Sequence, residues 1–147
     1  MVAYSPSDSW HDYHPRWNFI SDSTINNADW KIQGPAFLAW QTARKFSVGL
    51  WELANFVTND LIFLPEINGT TPAVSGFSAE RITGQVYDSQ ICGSVPLLGV
   101  FNAAAGDHYY TTSATEHSGL ISNGWIDAPT GAFVLPIPSG TSIQKLH

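Results

Sequence analysis

The sequence predicts a mainly β, single compact domain of about three degenerate β-rich repeats, in a pseudo-threefold, β-trefoil-like arrangement with short helices. A chain of 147 residues is long enough to bury one sizeable core. Short apolar, aromatic and β-branched runs alternate with Gly, Pro and Asn turn signals, which is typical of β-rich domains. The chain also repeats itself, and repeated small units bury their apolar faces against one another.

The clearest repeat relates residues 47–75 to residues 94–122 without a gap, at an offset of 47. Identical residues recur at Ser47/Ser94, Val48/Val95, Leu50/Leu97, Asn55/Asn102 and Asp60/Asp107. After one inserted residue the register recovers through shared glycines, at Gly76/Gly124 and Gly84/Gly131. We therefore predict repeats over 47–87 and 94–135, and an eroded third copy over 17–40.

In chain order, residues 1–16 are expected to form an extended or irregular lead-in. Residues 17–23 resemble a strand-like aromatic and hydroxyl run, and Trp30 and Gly34 complete the eroded copy. In the middle repeat Pro65 and Asn68-Gly69 disfavour a helix, so a loop is predicted there.

The last repeat predicts a strand over 96–101, a turn over 102–106 and a strand over 107–112. Ser113 and Glu116 form a capping-box pattern, which predicts a helix over 114–122 that ends near Asn123-Gly124. A closing strand follows at 133–135, and residues 136–147 are predicted to be a tail.

The charge pattern excludes several classes of partner. Only 12% of the residues are charged, six are Lys or Arg, and the net charge is −6. A phosphate backbone needs clustered basic residues, so no nucleic-acid binding is predicted. No apolar stretch approaches the roughly 18–20 residues of a membrane span, so no membrane insertion is predicted either.

Cys92 is the single cysteine, which rules out an internal disulfide and cysteine-based zinc sites. The N-terminus lacks a signal-peptide pattern, which predicts a cytoplasmic protein; a secreted chain in its mature form would look the same. No cofactor is predicted.

Residues His11, Asp12 and His14 are metal-ligand types at close spacing. A metal site needs three or four converging ligands, and no second cluster lies nearby in the sequence. A solvated polar segment is therefore favoured and no metal is predicted. Trp10, Trp17 and Trp30 are interpreted as core or subunit-contact residues.

The stretch Gly106–Ser113 places an acid, an imidazole, two phenols and three hydroxyls on consecutive residues. Together with Gln90–Leu97 and Gly124-Trp125, it resembles the uncharacterised tandem repeats of the form PLYRLYN…GDHFYTTS…GW…EG.AGYV, found in mushroom-forming fungi and bacteria. The resemblance covers one good copy, about residues 90–135, and two degenerate copies. It implies a carbohydrate- or surface-binding module by analogy with other small repeat proteins of fungi.

Sugar sites combine an aromatic face with fixed hydrogen-bonding groups, and the last repeat supplies both. The predicted ligand-binding residues are Asn102, Asp107, His108, Tyr109, Tyr110 and Trp125. The recurrence of Asp60 and Asp107 also permits a purely structural role for the aspartate, since Asp after Gly is common in turns. Trp125 aligns with Phe77 and Trp30, which favours a core position for it.

Catalysis is not predicted. Asp107, His108 and Ser113 are triad residue types, but adjacent strand residues point to opposite faces, so Asp107 should not orient His108. We predict a non-catalytic, lectin-like, defence-related protein that binds a glycan or glycoprotein and forms homo-oligomers for multivalency. The alternatives are a protein-directed defence protein, such as a protease inhibitor or toxin acting through loops 65–75 and 102–106, and a hydrolase.

Overall fold

The structure is a computed structural model that describes residues 1–138; the end of the predicted tail, residues 139–147, lies outside the described residues. As predicted, the fold is mainly β. The elements in chain order are β1 Val2–Ser5, β2 Trp10–Tyr13, α1 Arg16–Ile25, β3 Lys31–Gly34, β4 Ser47–Asn55, β5 Asp60–Pro65, β6 Ser78–Tyr87, β7 Val95–Pro96, β8 Leu98–Asn102, β9 Asp107–Thr111, α2 Ala114–Ser122, β10 Ile126–Asp127 and β11 Phe133–Val134.

Within residues 1–138 the strands form three antiparallel sheets. Their strand orders are β2-β1-β3, β10-β8-β9 and β5-β4-β6-β11-β7. Each sheet contains one hairpin of sequence neighbours, namely β1–β2, β8–β9 and β4–β5. These hairpins position the residues that matter for the candidate site.

The elements predicted for residues 94–135 are found, except that the strand predicted over 96–101 is divided into β7 and β8, which lie in different sheets. The strands β8 and β9 flank a turn at Ala103–Gly106, and the Ser113 side chain caps α2 by accepting a hydrogen bond from the Glu116 N–H at 3.1 Å. Helix α2 ends at Ser122 with Asn123 as its C-cap, and Gly124 follows with φ of 92°. The loop predicted between β5 and β6 is also found, with left-handed turn residues at Asn68 and Gly69.

The N-terminal segment differs from the prediction. Residues 1–16 hold the hairpin β1–β2, paired from Val2↔Tyr13 to Ser5↔Trp10, instead of an irregular lead-in. Residues 17–23, expected to be strand-like, lie in helix α1. Pro15 precedes this helix with its fixed φ of −54°, and Phe19 is buried on the helix face that packs against the hairpin end and Trp30.

The hairpins meet at an aromatic cluster formed by Tyr13 of β2, Phe63 of β5 and Tyr110 of β9. The three rings lie edge to face, with centroids 5.3–5.6 Å apart, a favourable geometry for aromatic pairs. The Tyr13 hydroxyl donates to the Tyr110 carbonyl and accepts from the Tyr110 N–H, while the Tyr110 hydroxyl accepts from the Phe63 N–H. This cluster lies within the buried core.

The turns of the three hairpins have the same conformational pattern. The last residue of the first strand is Ser5, Asn55 or Asn102, and the residue four positions on has a positive φ, at Ser9, Asn59 or Gly106. The Asn55 and Asn102 side chains each accept two backbone N–H groups of their own turn. The shared turn fixes where the next strand begins, and therefore which residue stands first in β2, β5 and β9.

Candidate functional site

Asp107, the first residue of β9, is buried and bound within the fold. Its carboxylate accepts from the His11 backbone N–H at 3.2 Å and lies 2.7 Å from His11 Nδ1. His11 lies on the neighbouring strand β2. As expected from strand geometry, Asp107 therefore does not orient His108, and the structural role considered for the recurring aspartate is seen here.

His108 makes the same kind of contact with another hairpin. Asp60, the first residue of β5, accepts from the His108 N–H at 3.1 Å and lies 2.7 Å from His108 Nδ1. The His108 ring also stacks on Phe101, with centroids 4.5 Å apart. Two aspartate–histidine pairs thus connect strands of different hairpins, β9 with β2 and β5 with β9.

The other predicted site residues are also engaged in the fold. Tyr110 lies in the aromatic cluster and Asn102 caps its own turn. Tyr109 is half-buried with its ring edge-on to His11, and burial followed by the nearby Glu116 carboxylate raises its pKa well above the usual value. Trp125 is half-buried after α2. Asp107 and Tyr109 meet at His11, whereas His108 and Tyr110 face the Asp60 side.

A third junction, between β5 and β2, has different residues. The position of Asp60 and Asp107 is taken by Trp10 in β2, and the position of His11 and His108 is taken by Leu61 in β5. Trp10 and Leu61 cannot form an aspartate–histidine pair. Both residues line a cavity of about 540 Å³ at this junction.

We call this space the tryptophan cavity. Its aromatic lining consists of Trp10, Trp17, Phe19, Trp30 and Phe56, and its polar lining includes Asp12, His14, Asn18, Ser21, Asp22, Asn26, Glu52, Glu80 and Arg81. These residues come mainly from β2, α1, β4 and β6. The cavity therefore depends on the N-terminal hairpin and helix, which sequence reasoning did not place as a unit.

Aromatic faces are available on the cavity wall. The Trp17 side chain is 67% exposed, so its indole is open to solvent at the start of α1. Trp30 packs on Phe19, with ring centroids 5.2 Å apart, and its Nε1 donates to Asp22 Oδ2 at 2.7 Å. Hydrogen bonds from Asn26 and Trp30 lower the pKa of Asp22, so this wall carries a fixed carboxylate.

The floor of the cavity holds a buried group that we call the acid–histidine cluster, Asp12, His14 and Glu52. His14 Nε2 lies 2.9 Å from Glu52 Oε2 and 3.4 Å from Asp12 Oδ2. Arg81 Nη2 lies 3.2 Å from Glu52 Oε1. Burial, followed by the repulsion of the Glu52 carboxylate, raises the pKa of Asp12 to about 7. Burial acts to raise the pKa of Glu52 too, but the His14 hydrogen bond and the Arg81 charge hold it below its usual value.

Two polar atoms of the cavity lining have no hydrogen-bond partner among the described residues. They are Trp10 Nε1, a donor, and Asn18 Oδ1, an acceptor, and both are buried. Buried polar groups are nearly always paired in folded proteins, and an unpaired group costs free energy. Both residues belong to the lining of the tryptophan cavity.

Sequence reasoning noted part of this site and missed the rest. The His11–His14 run was recognised as ligand-type residues, but Glu52 joins it from β4 across 38 residues of chain, which no local pattern signals. Trp17 and Trp30 were interpreted as core or subunit-contact residues, yet both line the cavity. The usable signal was the spacing of Asp12 and His14, which are two residues apart and therefore lie on one face of an extended strand.

Comparison with known families identifies a match along nearly the whole described chain. Residues 1–135 match the family described as Domain of unknown function (DUF5648). The chain belongs to this family. The match includes β1–β2 and α1, so the elements that build the tryptophan cavity lie inside the family's domain. Searches of curated proteins and of solved structures gave no significant match. Neither described helix is long and apolar enough to cross a lipid bilayer.

Proposed function

We propose that this protein is a non-catalytic, lectin-like carbohydrate-binding protein whose ligand occupies the tryptophan cavity. The observation that carries the proposal is the combination, in one cavity, of an exposed indole face with unpaired buried hydrogen-bonding atoms, at Trp17, Trp10 Nε1 and Asn18 Oδ1. Sugar rings present C–H-rich faces to aromatic side chains and hydroxyl groups to polar ones. Both kinds of contact are offered here by residues on rigid elements.

Cavity size supports a small polar ligand. A volume of about 540 Å³ falls within the roughly 300–1,000 Å³ of small-molecule sites in proteins. The wall donors and acceptors are of mixed type, since indole N–H and guanidinium groups donate while carboxylates and the Asn18 carbonyl accept. A ligand rich in hydroxyl groups, which donate and accept at once, matches this mixture.

The charges of the lining favour a neutral or amino-bearing sugar. Four carboxylate residues line the cavity, Asp12, Asp22, Glu52 and Glu80, against the cation Arg81 and the imidazole of His14. An anionic ligand would meet net repulsion in a partly desolvated space. Acidic sugars are therefore disfavoured as ligands.

The domain organisation we propose is a pseudo-threefold, β-trefoil-like arrangement with the hairpins β1–β2, β4–β5 and β8–β9 as equivalent parts. The common turn design, the aromatic cluster and the two aspartate–histidine pairs support it. The tryptophan cavity is then the third junction, opened by Trp10 and Leu61. Each chain has one tryptophan cavity, so multivalent, defence-related binding through it would need homo-oligomers.

The test is a glycan-array screen of the wild-type protein beside Trp17→Ala and Ile25→Ala. Trp17 and Ile25 are both exposed on α1, but Ile25 is not among the residues that line the cavity, so it is the matched control. We expect specific binding in the wild type and in Ile25→Ala, and its loss in Trp17→Ala. A blank wild-type array, or binding that Trp17→Ala leaves unchanged, would overturn the proposal. Inhibition of a protease panel without sugar dependence would instead support the protein-directed alternative.

A further inference from the structure

The acid–histidine cluster has the composition and spacing of a metal-binding site. Asp12, His14 and Glu52 each offer one ligand atom, and these atoms all lie within 4.8 Å of one another. The three side chains are at most 8% exposed. One imidazole with two carboxylates is a ligand set suited to borderline divalent ions such as Zn²⁺ or Mn²⁺.

The spacing of the ligand atoms matches the geometry around a zinc ion. Zinc binds nitrogen and carboxylate oxygen at about 2.0–2.2 Å, so two of its neighbouring ligand atoms lie about 2.8–3.6 Å apart in octahedral or tetrahedral geometry. The Nε2 atom of His14 lies 2.9 Å from the Glu52 oxygen and 3.4 Å from the Asp12 oxygen. The remaining pair, one oxygen of Asp12 and one of Glu52, lies within 4.8 Å.

Neighbouring groups fix the orientation of the Asp12 and Glu52 carboxylates. The Tyr13 backbone N–H donates to Asp12 Oδ1 at 2.7 Å, which leaves Asp12 Oδ2 on the His14 side. Arg81 Nη2 lies 3.2 Å from Glu52 Oε1 and donates a hydrogen bond to Oε2 at 3.4 Å, so it holds the carboxylate whose Oε2 faces His14. Hydrogen bonds to the second oxygen of a ligating carboxylate are typical of protein metal sites, where they orient the ligand.

The charges around the acid–histidine cluster and its position on the cavity wall also favour a bound cation. Two buried carboxylates side by side repel each other, and Arg81, which is 55% exposed on its side chain, compensates them only from the edge. A divalent cation between them would offset the repulsion directly. The cluster also lines the tryptophan cavity, so an ion held there can be reached from that space.

We propose that Asp12, His14 and Glu52 together bind one divalent transition-metal ion, Zn²⁺ in the first place, whose remaining coordination positions open into the tryptophan cavity. The three protein ligands leave room for water or a hydroxyl-bearing ligand at the ion, as in zinc sites with an open position. The site does not depend on the carbohydrate proposal, because metal binding is measured without any sugar.

The experiment measures Zn²⁺ binding to the chelator-treated full chain by equilibrium dialysis with elemental analysis and by calorimetry. His14→Gln and Glu52→Gln remove one ligand each. His117→Gln is the matched control, because His117 Nε2 makes the same kind of contact, 2.9 Å to Asp127 Oδ1, outside the cluster. We expect one Zn²⁺ per chain in the wild type and in His117→Gln, with affinity about tenfold or more weaker in the cluster variants.

Absence of stoichiometric Zn²⁺ binding by the wild type, or equal affinity in His14→Gln and the wild type, would overturn the inference. If the cluster variants do not fold, the NMR signals of the wild-type histidines locate the ion. Substoichiometric Mn²⁺ should broaden the NMR signals of the His14 ring before those of His11, His108 and His117. Broadening that begins at another histidine would contradict the assignment.

Discussion

At the scale of single residues, the aspartate–histidine pairs are the clearest case of a sequence signal with a structural cause. Asp60 and Asp107 recur because each begins the second strand of its hairpin. Each carboxylate contacts both the backbone N–H and the ring of a histidine on another hairpin. A buried carboxylate that accepts two hydrogen bonds, one of them from an imidazole, stabilises the fold more than an exposed contact does.

Asp60→Asn should therefore destabilise the protein. The amide retains an acceptor for the His108 N–H but loses the carboxylate contact with His108 Nδ1, and we expect a loss of about 1–3 kcal/mol in the free energy of unfolding. Asp127→Asn is the control, because Asp127 makes a similar contact with His117 but is 62% exposed; its effect should stay within about 0.5 kcal/mol. Urea unfolding of both variants measures the difference. Equal losses would contradict the structural role assigned to Asp60.

The aromatic cluster gives a second prediction at this scale. The Tyr13 hydroxyl bonds both the N–H and the carbonyl of Tyr110, whereas the Tyr110 hydroxyl bonds only the Phe63 N–H in the described contacts. Tyr13→Phe leaves two buried backbone groups unpaired and Tyr110→Phe leaves one. We expect each substitution to cost about 1–3 kcal/mol, with the larger loss for Tyr13→Phe. Chemical denaturation that ranks them in the opposite order would refute this explanation.

At the scale of elements, the two helices show what local sequence can and cannot specify. Helix α2 was predicted correctly because Ser113 and Glu116 form a capping box, a signal contained in four residues. Helix α1 was missed because Pro15 makes no side-chain cap, and its aromatic and hydroxyl residues suit a strand equally well. The burial of Phe19 against Trp30, eleven residues further on, selects the helix.

The cap of α2 is open to a direct test. Ser113→Ala removes the acceptor for the Glu116 N–H and should lower the free energy of unfolding by about 1 kcal/mol. Ser118→Ala, at an exposed position inside the same helix, should be neutral or slightly stabilising because alanine favours helices. Thermal or urea unfolding that finds the two variants equal would show that the cap contributes nothing.

At the scale of the whole molecule, sequence reasoning gave the β-rich class and the elements of the last repeat but not the site. The aspartates were found by their spacing, yet their partners lie 96 and 48 residues away along the chain. Glu52 meets Arg81 because β4 pairs with β6, and it meets His14 because the N-terminal hairpin packs beside that pair. Long-range pairing of this kind leaves no local pattern to read.

The difference between the three junctions leads to a prediction about the cavity. Trp10→Asp combined with Leu61→His places an aspartate and a histidine where the other two junctions have them. If the junctions are equivalent, the double variant should be more stable than the sum of the two single-substitution effects predicts. The expected coupling free energy is about 0.5–3 kcal/mol. A double-mutant cycle by urea unfolding measures this coupling. Strict additivity would contradict the equivalence of the junctions.

The claim at the centre of this account is that the ligand enters the tryptophan cavity rather than the surface around Trp125. The six tryptophans each give one indole N–H signal in an NMR spectrum of ¹⁵N-labelled protein, and the signals report on separate places in the fold. Titration with the sugar that the array selects should shift the Trp10 signal most, because its unpaired N–H gains an acceptor. A shift centred on Trp125, with Trp10 unchanged, would contradict the claim and return the site to the last repeat.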